Sequence, residues 1–148
     1  MSENCLICKI NEDCKGKGDP DFICELPYSY VILGKKQFYR GYCILLLKNH
    51  KTELFHMTPE ERKGYFDDVT LVGRAIFNCY QPDKLNYEIL GNQEPHIHCH
   101  IFPRKKEDEY FRKPIWARPE DKSPQIKLTP QELDATILKL RQEIERLK

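Results

Sequence analysis

Three of the five histidines stand at alternate positions in HIHCHIFPR, residues 96–104, with Ile97, Cys99 and Ile101 beside them. On a strand, residues i, i+2 and i+4 face one way. His96, His98 and His100 therefore share one face, and Ile97, Cys99 and Ile101 share the other, where a helix can cover them. That makes Cys99 a core residue rather than a nucleophile. Three imidazoles on one face are hard to explain as packing, and a metal site is the first chemistry to consider. At roughly 3.3 Å per residue, the Cα atoms of His96 and His100 are about 13 Å apart, while each Zn–N bond is only about 2.0–2.1 Å. Neighbouring pairs could share an ion, but the outer two could not easily do so on a straight strand. The three must divide the work.

One division uses residues elsewhere in the chain. Cys5 and Cys8 form a C-x-x-C near the N-terminus, and His50 directly follows the apolar run CILLL at 43–47. These three lack a fourth ligand for tetrahedral zinc. His96, at the start of its strand, completes a Cys2His2 set, and a site closed by four protein ligands is structural. His56 competes with His50 for that role, and a redox C-x-x-C or no metal at all are the alternatives. A thioredoxin-type motif follows a strand, and none precedes Cys5, so metal is preferred. His98 and His100 are left for chemistry. A neutral imidazole whose other nitrogen donates to a fixed acceptor is a nucleophile toward phosphorus. A second imidazole can hold the non-bridging phosphoryl oxygens. At two residues' separation, about 6.7 Å between Cα atoms, the pair can flank one phosphate.

These groups need a sheet and a helix to position them. Residues 22–26, 30–33 and 42–47 are β-rich, with the polar turn KKQFYRG at 35–41, and read as an antiparallel meander. Residues 85–90 and 97–102 read as two further strands joined by the turn GNQEP, the second ended by Pro103. Residues 9–21 are polar with Gly, Asp and Pro and read as loop. TPEE at 58–61 is a capping box with Pro at the first helical position. It opens an amphipathic helix whose stripe is Phe66, Val69, Gly73, Ile76, Phe77 and Tyr80, closed by Pro82. Gly64 and Gly73 each cost about 1 kcal/mol relative to Ala, which close packing on the sheet would explain. RKKEDEYFRK at 104–113 reads as a charged, solvated run, and PIWARPEDKSP at 114–124 as Pro-rich loop. TPQE at 129–132 opens a second helix with Leu133, Ile137, Leu140, Ile144 and Leu147 in one stripe, for docking on the domain or on a partner subunit. Residues 1–128 form one domain with its N-terminal C-x-x-C. Residues 129–148 form the C-terminal amphipathic helix, part of that domain or of a dimer interface.

The whole chain sets limits on partners. Its 148 residues suit one domain. A net charge of +1, from 24 basic and 23 acidic residues, argues against bulk binding to nucleic acid or an anionic membrane. No apolar run approaches the roughly 20 residues of a membrane helix, and MSENCLICK has no signal-like region. The expectation is a soluble cytoplasmic protein. The 7 cysteines, an odd number, read as free thiols or ligands in a reducing compartment. Cys14, Cys24, Cys43, Cys79 and Cys99 read as small buried apolar residues.

The segment His96 to Phe102 resembles the signature of the histidine-triad (HIT) superfamily, in which histidine alternates with apolar residues. RGYCILLLKNH, from Arg40 to His50, is similar to the Gly-led strand that ends in a histidine in that family. GNQEPHIHCHIFPR followed by FRKPIWA is similar to a bacterial branch of it. The resemblance covers roughly residues 5–118. It implies an α+β fold with a five-stranded antiparallel sheet, one long helix packed on it, and commonly a homodimer. It also implies that His98 attacks the α-phosphorus to form a covalent nucleotidyl-histidine that water then releases. His100 would hold the phosphate, and Cys5, Cys8, His50 and His96 would be zinc ligands. The implied function is a nucleotide hydrolase or transferase acting on a dinucleoside polyphosphate or a nucleoside phosphoramidate. The alternative is a nucleotide-binding sensor or interaction protein. The chain departs from the family where many members carry Gly-Gln-Ser-Val before the triad. Here the residues are Gly91 to Pro95, so Asn92 or Gln93 must take over contacts to phosphate or leaving group. Where an acidic residue often holds the ribose, this chain has Gly34 and Lys35. Trp116 is expected to close one side of the nucleotide pocket, or else simply to pack.

Overall fold

In the computed structural model, which describes residues 4–37, 39–119 and 127–148, the long helix α2 spans Pro59–Tyr80. It begins as the sequence predicts. The Thr58 side chain accepts from the Glu61 N–H, the Glu61 side chain accepts from the Thr58 N–H, and Pro59 sits in the first turn. Gln81, left-handed at φ 47°, closes it, with its N–H on the Phe77 carbonyl. The buried face is rotated from the expected stripe. Tyr65, Val69, Val72, Ala75 and Ile76 fill the core, while Phe66 and Phe77 are 37% and 45% exposed. Two adjacent rows of α2 are both apolar, so periodicity alone could not say which one faces inward. Tyr65 settles it by donating its hydroxyl to the buried Leu45 carbonyl at 3.0 Å. The two glycines let the helix approach closely. A Cβ on Gly64 would lie 2.0 Å from the Tyr28 ring, and one on Gly73 would lie 2.3 Å from the Tyr87 hydroxyl.

The sheet beneath is five-stranded and antiparallel, made of β1 (Phe22–Glu25), β2 (Ser29–Leu33), β3 (Cys43–Leu47), β4 (Lys84–Glu88) and β5 (His98–Arg104). Their spatial order is β1-β2-β3-β5-β4. One face carries Val31, Cys43, Leu45, Cys99 and Ile101 into a core covered by α2 and by the C-terminal helix α3, Pro130–Leu147. Thr129 and Glu132 form the expected second capping box, and Ile137, Leu140 and Ile144 are buried against the chain's own α2 and β1. The apolar stripe of α3 is thus used within one chain. Arg141 extends from α3 to the edge strand β1 and donates to the carbonyls of Ile23 and Phe22 at 2.7 and 3.2 Å.

Three further expectations need correction. Residues 9–21 are not all loop, because α1 spans Leu6–Lys15. Its buried face is Ile7, Cys8, Asn11 and Cys14. Asn11 hides the periodicity: it is buried because its amide donates to the Leu47 carbonyl at 2.9 Å. Pro103 does not end β5, which runs on to Arg104. Pairing with β3 stops at Ile101, so the missing N–H of Pro103 falls where β3 offers no partner. The run 104–113 is not simply solvated. The Arg104 side chain is 0% exposed and that of Asp108 is 6% exposed, each neutralising the other. Residues 120–126 of the Pro-rich stretch lie outside the described residues. On the second face of the sheet, α1 covers Tyr30, Ile32 and Leu46. His98 and His100 lie beside this patch, opposite Leu46 and Ile44.

Candidate active site and metal centre

Four side chains from three places in the chain converge where α1 meets the sheet. Cys5 is the N-cap of α1 and Cys8 lies in its first turn, His50 follows β3, and His96 precedes β5. Their ligand atoms all lie within 4.8 Å of one another. Cys5 Sγ and Cys8 Sγ are 3.4 and 3.5 Å from His96 Nδ1, Cys8 Sγ is 3.4 Å from His50 Nδ1, and the two Nδ1 atoms are 3.3 Å apart. Tetrahedral zinc with ordinary bond lengths places sulfur and nitrogen about 3.6 Å apart and two nitrogens about 3.3 Å apart. The donor set and its spacing fit that ion. His96 is oriented for ligation. Its Nε2 donates to the Leu47 carbonyl at 2.7 Å, which leaves the Nδ1 lone pair facing the thiols. Burial lowers its pKa, favouring the neutral form that binds metal. His56, the competitor, is exposed on a short turn and meets Thr52 instead.

Two residues on, His98 turns to a cavity. Its Nδ1 is 2.7 Å from the His96 carbonyl, an oxygen that can only accept. In the neutral ring the proton is therefore on Nδ1, and Nε2 carries the lone pair. His100 sits against it, with ring centroids 4.9 Å apart and planes at 77°. Burial, then the neighbouring His98, lowers the His100 pKa to about 4, so its ring is neutral. The cavity, of about 440 Å³, is lined by Leu90, Gly91, Asn92, Gln93, Glu94, His98, His100 and Trp116. The structure thus brings Asn92, Gln93 and Trp116 together with the two histidines. Trp116 meets His100 edge-on, 5.4 Å between centroids. Burial pushes the Cys99 thiol up to about 12, and it points into the core.

Sequence reasoning missed the residues that hold this site in place. Tyr42, just ahead of β3, brings its hydroxyl to 2.6 Å from His100 Nδ1. Glu88 on β4 is the register partner of His100; burial raises its carboxyl pKa, and the nearby Ile115 N–H and Trp116 indole lower it. Arg104 organises the segment that carries Trp116. Its guanidinium donates to Asn86 Oδ1, Asp108, and the carbonyls of Tyr110 and Lys113, all within 3.0 Å. Arg118 and Tyr39 close on the same Asp108 carboxylate. Only the strand register would have revealed Tyr42 and Glu88. The single arginine at the end of the triad strand was the available signal for the rest.

The comparisons with known proteins give the chain a family. The family model of the HIT domain matches residues 15–107, more than half of the chain. The chain belongs to the HIT family. This HIT protein is 30% identical to Protein hit of Bacillus subtilis over 115 residues, which cover 74% of this chain and 77% of that one. It is 31% identical over 85 residues to the bis(5'-adenosyl)-triphosphatase of Saccharomyces cerevisiae, a match covering 53% of this chain and 41% of the yeast protein. Among solved structures, a histidine triad protein from Bradyrhizobium japonicum superposes with a TM-score of 0.73 at 26% identity, covering 84% of this HIT protein and 91% of that chain. Among the described residues, no helix is long and apolar enough to cross a membrane.

Proposed function

We propose that this HIT protein is a nucleotide hydrolase or transferase acting at the α-phosphate of a nucleoside phosphate derivative, a dinucleoside polyphosphate or a phosphoramidate. The observation that carries this reading is the fixed His98 imidazole. Its Nδ1 is held by the His96 carbonyl at 2.7 Å, and its Nε2 lone pair is free to attack within a cavity shared with His100. His98 Nε2 forms a bond to the α-phosphorus as the bond from phosphorus to the leaving group breaks. Water then attacks the same phosphorus, the P–N bond breaks, and the nucleoside monophosphate departs. His100 donates to a non-bridging oxygen, where charge grows in the transition state. Asn92 and Gln93, on the rim, contact phosphate or leaving group, and Trp116 walls the cavity. The name of the yeast relative supports a dinucleoside polyphosphate among the substrates to try first.

The same reading assigns Cys5, Cys8, His50 and His96 as ligands of a structural zinc. Such an ion supplies folding energy and ties α1 to the sheet. Residues 1–148 act as one domain, with α3 an integral part. A homodimer is also proposed, though α3 no longer supports it, because its stripe is buried within the chain. Support comes from Phe66 and Phe77, exposed about three turns apart on one face of α2, and from Tyr87 and Leu90 on and just beyond the edge strand β4. The free thiols suit a reducing, cytoplasmic setting. Mixing the zinc-loaded protein with labelled diadenosine triphosphate or an adenosine phosphoramidate and quenching within one turnover tests the chemistry. The expected result is an acid-labile label on the His98 peptide. Label on another residue, or turnover retained by His98→Ala, overturns the assignment. Light scattering at micromolar concentration checks the dimer, and a monomer there refutes it.

A further inference from the structure

The two cavity histidines meet partners of different chemistry. His98 Nδ1 faces a carbonyl, which can only accept, whereas His100 Nδ1 faces the Tyr42 hydroxyl, which can give or take a proton. We infer that Tyr42 is a positioning residue whose O–H donates to His100 Nδ1 and so places the imidazole proton of His100 on Nε2, the reverse of the arrangement in His98. This rests on the reading of His98 as nucleophile and His100 as phosphate holder. It explains how one strand face supplies both a lone pair and a donor. If the His100 proton sat on Nδ1, its Nε2 lone pair would oppose the phosphoryl oxygens it has to hold.

The surroundings hold Tyr42 to this task. Its ring stacks on Phe102, with centroids 4.1 Å apart and planes at 19°, and lies nearly parallel to His100. Gly34 makes room for it, since a Cβ there would sit 2.1 Å from the Tyr42 ring. The Tyr42 backbone is pinned as well, its carbonyl accepting from the Gly34 N–H and the Gln37 amide at 2.9 Å each. Burial raises the phenol pKa, so the hydroxyl keeps its proton. The neutral His100 ring has one nitrogen left to accept it. Glu88, the charged group opposite His100 on β4, has the Ile115 N–H and the Trp116 indole near its carboxyl. The remaining faces of the His100 ring are occupied by His98, Phe102 and Trp116.

Nitrogen-detected NMR of the imidazoles in the zinc-loaded protein near neutral pH reads both tautomers directly. The wild type should show His98 as Nδ1–H and His100 as Nε2–H. Tyr42→Phe removes only the hydroxyl and keeps the stack. His100 should become a mixture of tautomers with His98 unchanged, and kcat should fall about 10- to 100-fold with KM unaltered, the range one lost hydrogen bond supports. Phe102→Leu loosens the same stack but keeps the hydroxyl, so it should leave the His100 tautomer as in the wild type. A wild-type His100 protonated on Nδ1 overturns the inference, and so does a Tyr42→Phe variant with unchanged tautomer or unchanged kcat. The spectra need no turnover. A protein that cleaves neither diadenosine triphosphate nor an adenosine phosphoramidate would count against the proposed function, while the tautomers would still decide the role of Tyr42.

Discussion

Removing the His98 imidazole takes away the proposed nucleophile and leaves the fold standing, because the ring is half-buried beside a cavity and, among the described residues, stands outside the cluster of Cys5, Cys8, His50 and His96. His98→Ala should therefore lose turnover entirely while its melting curve stays that of the wild type. His100→Ala should retain the two-step route but weaken the hold on the phosphoryl oxygens, lowering kcat by roughly 10²–10³-fold, as for one oxyanion donor. Steady-state kinetics beside thermal melts separate the two. The common placement of His98 and His100 on one face of β5 was legible in the sequence because a period of two needs no partner strand to be seen. The metal cluster was legible from residue type, since Cys5, Cys8 and His50 wanted a fourth ligand. Tyr42 was not legible. Its place beside His100 follows from Ile44 standing opposite His100 and Cys43 opposite Ile101, a register no local pattern displays.

At the scale of elements, the segment from Lys105 to Arg118 matters most, because it carries Trp116 to the cavity with one short 3-10 turn, Ile115–Ala117, as its regular structure. Asp108 pins it, taking Arg104 at 2.8 Å and also Arg118 and Tyr39. Arg104 and Arg118 are 0% and 5% exposed, so Asp108→Asn takes from two buried charges the carboxylate they share. Breaking such a buried pair costs about 3–5 kcal/mol, readable as a lowered urea midpoint. Burial alone would raise the Asp108 pKa, but the Tyr39 hydroxyl, the Tyr110 N–H and the two guanidinium groups outweigh it and hold the carboxyl below its ordinary 3.8. With the folded value below the unfolded one, this stabilisation is complete above 3.8 and is lost as the pH falls through the folded value. The gap in melting temperature between wild type and Asp108→Asn should accordingly narrow only in acid. Charge runs read as solvated faces unless their partners are known, which is why the sequence showed the capping boxes of α2 and α3 but concealed this clamp. α1 was concealed for a related reason, since Asn11 is a polar residue buried by one hydrogen bond.

For the whole molecule, the four-ligand cluster joins the first helix to the end of β3 and the approach to β5. Stripping zinc with a chelator should lower the melting temperature. A loss of even about 3 kcal/mol shifts it by roughly 6–12 °C in a chain of this size. Metal analysis showing no stoichiometric zinc in carefully purified protein would remove the basis for that expectation. His96 gives the cluster a second reach. Its ring takes part in the cluster while its own carbonyl holds His98 Nδ1. On the proposed assignment, a lineage carrying this chain has little freedom to drift at position 96. A replacement that slackens the cluster also tilts the carbonyl, so durability and turnover decline together and selection on either one protects the other.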